Sequence, residues 1–152
     1  MRHIERSHQS ALLFFVDLNG MKLINDELGH DEGDRALAET ADVLRATFRA
    51  SDIVARLGGD EFVALLLEAG AEQIDIFSNR IQREITMRNA KGDRRYRLSA
   101  SVGGAVYESS HPETIEGLLA KADALMYEQK RRRRNGPLLS MPVGPPTDDA
   151  RE

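Results

Sequence analysis

The stretch from Ala11 to Val16, ALLFFV, is an unbroken apolar run that ends at Asp17. Its length suits a strand better than a helix. Its lack of alternation means that both faces of that strand must be covered. The run therefore predicts a buried strand, and the alternation of helices with strands along the chain suggests helices on the sheet faces. The run leaves the core through Asp17-Leu18-Asn19-Gly20, so a carboxylate stands at the end of a buried strand, where sites of open sheets often form.

The rest of the chain supplies the partners. Met21 to Leu28 reads as a helix stopping at Gly29. Leu37, Ala41, Leu44 and Phe48 recur at helical spacing, and Ser51-Asp52 breaks that pattern. Between these helices, Gly29-His30-Asp31-Glu32-Gly33-Asp34 reads as a polar loop. Ile53 to Leu57 and Phe62 to Leu67 read as strands joined by Gly58-Gly59-Asp60-Glu61, a hairpin signal. Ile74, Phe77, Ile81 and Ile85 mark a third helix, and Lys91-Gly92-Asp93 a turn. Tyr96 to Tyr107 reads as a long strand in which Gly103-Gly104 marks a bulge or a close backbone approach. Ile115, Leu118, Leu119, Ala122, Leu125 and Met126 form the stripe of a last helix. The predicted order is β-α-α-β-β-α-β-α. The expected fold is an α/β sandwich of the α+β kind, with a central mixed, mainly antiparallel sheet flanked by helices.

Bulk properties narrow the function classes. The length of 152 residues suits one domain. No cysteine is present, which excludes thiolate metal sites and fits a reducing compartment. No apolar run is long enough to span a bilayer and no secretory leader is recognised, so the expected location is cytoplasmic. The net charge of −4 argues against a nucleic-acid binder. The basic cluster Lys130 to Arg134 is, taken whole, an ordinary solvated helix end. Residues 137–152 are proline-rich with acidic residues at the close, and are expected to form a flexible tail.

Two features together carry chemistry. By itself a Gly-Gly-Asp turn is most often a solvent-facing bend, and Asp17 by itself is most often a helix cap. If the two strands are neighbours, however, Asp17 and Asp60 form a hard-oxygen site for Mg²⁺ or Mn²⁺. Gly58 and Gly59 then let a nucleotide approach the backbone closely.

At this point the residues resemble a known family. Arg56-Leu57-Gly58-Gly59-Asp60-Glu61-Phe62 resembles the signature of GGDEF domains, the diguanylate cyclase family. Phe15 to Asp26 is similar to its metal and nucleotide segment, and Gly29-His30 with Gly33-Asp34 to its next motif. Ala122 to Tyr127, with Lys130 and Arg134-Asn135, is similar to its closing motif. Asn19, Met21 and Arg133 depart from common family residues. The similarity runs over residues 11–136, with 1–10 as a remnant of an N-terminal helix or linker.

The resemblance implies a fold like the nucleotidyl cyclase core and the polymerase palm. It implies Asp17, the Leu18 carbonyl and Asp60 as metal ligands, and Asp60 and Glu61 as the catalytic acidic pair. Asn25 and Asp34 would read guanine, whose ring edge offers donors and acceptors that an amide and a carboxylate match. Gly58, Gly59, Lys22, Lys130 and Arg134 would meet the rest of the nucleotide. The implied reaction condenses two GTP into cyclic di-GMP and pyrophosphate across a homodimer. Arg49 and Asp52 match an inhibitory product site, although a helix-end Arg beside a loop Asp is also an ordinary pairing. The rival reading is a catalytically silent domain of the same fold that binds GTP or cyclic di-GMP and regulates a partner. Retention of Asp17, Asp60 and Glu61 favours the enzyme.

Overall fold

A computed structural model describes residues 10–91 and 95–134, with backbone only at the last two. Of the remnant expected at 1–10 only Ser10 is described, as the first residue of a strand; the tail at 137–152 and most of the turn after Lys91 lie outside the described residues. Four strands are described: β1 (Ser10–Leu18), β2 (Ile53–Gly58), β3 (Glu61–Leu67) and β4 (Ala100–Glu108). Four α-helices accompany them: α1 (Met21–Leu28), α2 (His30–Thr47), α3 (Ile74–Lys91) and α4 (Ile115–Arg134). A short 3₁₀ turn, Ala71–Gln73, leads into α3.

The sheet order is β2-β3-β1-β4, and all three pairings are antiparallel. With β1 and β3 inside, the first part of the chain is a split βαββαβ unit, and α4 is added on the opposite face. The apolar run of β1 follows from this position. Leu12, Phe14, Val16 and Leu18 point into one core with Ile24, Val43, Leu44, Phe77 and Ile81. Ala11, Leu13 and Phe15 point into a second core with Leu118, Ala122 and Met126. Burying a side chain of this size contributes about 1.5–3 kcal/mol, so a single polar substitution in β1 weakens one whole layer. Phe48 at the end of α2 stacks on Phe77 of α3 at 5.4 Å between ring centroids, and both meet Phe14. These contacts tie two helices to the central strand.

Two expectations are corrected. The segment after Gly29 is not a loop: α2 begins at His30, so Gly29 alone separates it from α1. Gly29 takes φ 99°, a conformation that glycine adopts without strain. Asp31 and Glu32 then lie in the first turn of α2, where carboxylates favour helix initiation. The last strand starts at Ala100 rather than Tyr96. Its partner β1 ends at Leu18, opposite Ala100. The Asn89 amide of α3 captures the backbone N–H and C=O of Leu98 at 2.8 and 2.9 Å, so Leu98 is satisfied by a side chain rather than by a strand.

Gly103 and Gly104 mark close approach and no bulge, since β1 and β4 pair in unbroken register. A Cβ on Gly103 would lie 2.2 Å from the Met126 nitrogen and 2.3 Å from the Ala122 carbonyl oxygen. The backbone of α4 therefore rests directly on β4. The irregularity in the sheet lies between Arg56 and Gly58, at the entrance to the hairpin turn. Among the described residues, no helix is long and apolar enough to cross a membrane.

Candidate active site

The antiparallel register places Asp17 opposite Glu61 on β3 and opposite Ser101 on β4. Asp60 sits in the turn just before Glu61, and its carbonyl accepts the Leu18 N–H at 3.0 Å. Strand pairing alone thus brings three carboxylates to one corner of the sheet. Asp17, Asp60 and Glu61 each present an oxygen within 4.8 Å of the others. Asp17 faces the α4 side, in line with Phe15 and Leu13 below it.

Asp17 is buried, at 9% exposure. Its Oδ2 accepts a hydrogen bond from the Lys130 ammonium at 3.0 Å. Its Oδ1 is buried without a hydrogen-bond partner among the described residues. Burial pushes the Asp17 carboxyl up to about 6, from an ordinary value of 3.8. Lys130 opposes that rise through its hydrogen bond and its charge, while Asp60 and Glu61 add to it. An orphan carboxylate oxygen beside two further carboxylates is a donor set of hard oxygens, and a divalent Mg²⁺ or Mn²⁺ fits it.

The turn is held in shape by its own residues. Gly58 and Gly59 take φ 148° and 52°, both in the region that favours glycine. A Cβ on either would meet nothing within 4 Å, so the requirement is conformational and the space above the turn is open. Arg56 donates from Nε and Nη2 to the Gly59 carbonyl at 3.1 and 2.8 Å. This clamp stands just ahead of Asp60. Arg56 lies within the signature, but only the structure reveals its contact. A network of neutral groups secures the end of β1: Asn19 Nδ2 donates to Ser99 Oγ, and Ser101 Oγ donates to Asn19 Oδ1, both at 3.0 Å. The sequence departs from the family at Asn19, and the amide there has a structural use.

A second polar feature lies between α1 and α2. Gly33 packs so closely that a Cβ there would stand 1.9 Å from Asn25 Oδ1. Asn25 Oδ1 is buried and has no hydrogen-bond partner among the described residues. Asp34 follows on the exposed face of α2. The remaining expected residues are distributed unevenly. Lys22 is exposed and pairs with Asp26 at 2.9 Å, which holds its ammonium above the ordinary value. Lys130 turns inward to Asp17, whereas Arg131 and Arg132 are exposed, Arg131 pairing with Glu128 at 3.5 Å. The Arg134 side chain lies outside the described residues. Arg49 closes a local turn with Asp52, which accepts the Arg49 backbone N–H at 2.9 Å and faces its guanidinium at 3.4 Å. That pair lies at the end of α2, away from the strand ends that carry the carboxylates.

Known proteins resemble this chain in sequence and fold. The chain is 37% identical over 131 residues to the bifunctional diguanylate cyclase/cyclic di-GMP phosphodiesterase MucR of Pseudomonas aeruginosa, covering 86% of this chain and 19% of that protein. It is 38% identical over 137 residues to the diguanylate cyclase TpbB of the same species, covering 88% of this chain and 31% of that one. It therefore spans less than a third of the length of these curated relatives. The solved GGDEF domain of DgcB from Caulobacter crescentus, in complex with c-di-GMP, superposes with a TM-score of 0.78 at 26% identity, covering 88% of this chain and 80% of that one. The family model for the diguanylate cyclase GGDEF domain matches residues 1–136. With the fold, the acidic turn and these relatives in agreement, the chain belongs to the GGDEF domain family of diguanylate cyclases.

Proposed function

We propose that this domain is an active diguanylate cyclase that condenses two GTP into cyclic di-GMP and two pyrophosphates. The observation that carries this reading is the cluster of Asp17, Asp60 and Glu61 at one sheet corner, with a buried Asp17 oxygen left unpartnered. Asp17, the Leu18 carbonyl and Asp60 would hold Mg²⁺ or Mn²⁺. When bound, such an ion supplies charge neutralisation at the phosphates and acidifies a nearby hydroxyl.

The chain's own residues do the rest. Asn25 and Asp34 bind the guanine edge, the unpartnered Asn25 oxygen being an acceptor in need of a donor. Gly58 and Gly59 leave room for the nucleotide against the turn. Lys22, Lys130 and Arg134 bind phosphates; Lys22 must give up Asp26 and Lys130 must give up Asp17 to do so. Each 3′-hydroxyl oxygen attacks the α-phosphorus of the other GTP, and the bond to the β-phosphate oxygen breaks. The hydroxyl proton passes to Asp60, Glu61 or water, and pyrophosphate leaves. One protomer holds one GTP, so two protomers must face each other. Arg49 and Asp52 bind cyclic di-GMP as an inhibitor. The reaction takes place in the cytoplasm, where GTP is available.

Incubation of concentrated protein with GTP and Mg²⁺, followed by chromatography, tests the reading. Wild type forms cyclic di-GMP and Asp60→Ala forms none. Absence of product from wild type that binds GTP would replace the enzyme with a nucleotide-binding regulatory domain.

A further inference from the structure

Lys130 sits near the end of a twenty-residue helix, yet its ammonium must reach a carboxylate buried one strand in from the sheet edge. Besides its apolar stripe against β1, two contacts with β4 seat that helix. The first is Gly103, which lets the α4 backbone rest on β4 at Ala122 and Met126. The second lies one residue before Lys130: the Gln129 side-chain oxygen accepts the Val102 backbone N–H at 2.9 Å.

The strand geometry explains why that N–H is available. β4 is the edge of the described sheet, and alternate residues of an edge strand turn their N–H and C=O groups outward. Ala100 and Val102 are two such residues. The Ala100 carbonyl accepts from the Gln82 amide of α3 at 3.0 Å, and the Val102 N–H is taken by Gln129. The edge is thus closed from the two helices by two side-chain amides, beside the strand register that carries Asp17.

We propose that Gln129 is a positioning residue that docks the end of α4 on the β4 edge and thereby holds Lys130 at Asp17. Its consequence for nucleotide binding rests on the reading of Lys130 as a phosphate ligand. Gln129 touches neither substrate nor carboxylate; it acts through its neighbour. Gln129→Met keeps the length and removes the amide oxygen, whereas Gln129→Glu keeps an acceptor.

The test begins with competitive amine labelling of the nucleotide-free protein, read by mass spectrometry. Lys121, with a 61% exposed side chain, serves as internal reference against Lys130 at 22%. In Gln129→Met, Lys130 labels about fivefold faster relative to Lys121, the effect expected for loss of one hydrogen bond; Gln129→Glu labels as wild type does. Unchanged Lys130 labelling in folded Gln129→Met, equal acceleration in both variants, or equal acceleration at Lys121 would overturn the assignment. Binding of the α,β-methylene analogue of GTP with Mg²⁺ supplies the second arm. Gln129→Met weakens it about fivefold, and has no further effect once Lys130→Met is present. Additive weakening would mean a general loosening and also overturns the proposal. If no variant and no wild type binds the analogue, the cyclase reading fails, while the labelling result still decides the role of Gln129.

Discussion

Asp17 combines two demands that oppose each other. Its carboxylate lies at the end of a core strand, so the ionised form loses hydration, and Lys130 only partly compensates. The folded protein therefore holds a proton on Asp17 up to about pH 6, whereas the unfolded chain releases it near 3.8. Because the folded pKa is the higher one, this group favours folding at low pH, and its contribution is lost as pH rises from about 4 to about 6. At pH 7 without metal, Asp17→Asn removes the desolvation penalty of the buried charge, a gain reduced by leaving the Lys130 ammonium without its counter-charge. Calorimetric melting in a chelator checks this: the variant melts above wild type at pH 7. Adding Mg²⁺ raises the wild-type melting temperature and leaves the variant unchanged. A variant that melts lower in chelator would contradict the account. At this scale the sequence made Asp17, Asp60 and Glu61 legible, because a carboxylate closing an apolar run and a Gly-Gly-Asp turn are both local signals. The contacts of Arg56, Asn19 and Gln129 were not legible, since each depends on which backbone group a folded neighbour leaves open.

Among the elements, the α1–α2 junction shows how backbone proximity shapes a buried polar feature. A single residue, Gly29, separates the helices, and Gly33 presses against Asn25. Gly33→Ala places a methyl group where the Asn25 amide now lies. That amide ends a movable side chain, so it swings away while the helix tolerates alanine. Alanine is the better helix former by about 1 kcal/mol, so stability is retained or raised. The KM for GTP rises about tenfold, the cost of losing a guanine hydrogen bond in a closed site. Steady-state kinetics with a parallel thermal melt check it; an unchanged KM would remove Asn25 from the guanine site. Element order was readable from periodicity, and the burial of β1 from its unbroken apolar run, whereas its central place in the sheet came only with the pairing. Two boundaries were not readable. The polar Gly29–Asp34 stretch looks like a loop in composition, but its acidic residues suit a helix start. The Tyr96–Ser99 stretch continues a strand pattern, yet Asn89 takes the Leu98 backbone before any strand can.

For the whole molecule, the sheet brings the acidic corner and the Lys130 end of α4 together, and the Arg49–Asp52 turn lies at the end of α2, away from them. In the proposed reading, cyclic di-GMP at that turn inhibits without occupying the acidic corner. Arg49→Ala raises the inhibition constant for cyclic di-GMP about tenfold, the scale of one charge-assisted contact, and leaves turnover without product largely intact. Inhibition that persists unchanged would leave Arg49 as a plain helix-end partner of Asp52. Antiparallel pairing of β1 with both neighbours is what turned separate motifs into one corner, and that pairing was not visible in the sequence itself. In the proposed reaction two protomers act on two nucleotides. The most direct measurement is the simultaneous yield of pyrophosphate and cyclic di-GMP from GTP and Mg²⁺ over a range of protein concentrations. Two pyrophosphates are expected for each cyclic di-GMP, with a rate per protomer that climbs with concentration until the dimer saturates. GTP that is bound but left unconverted at every concentration would contradict it.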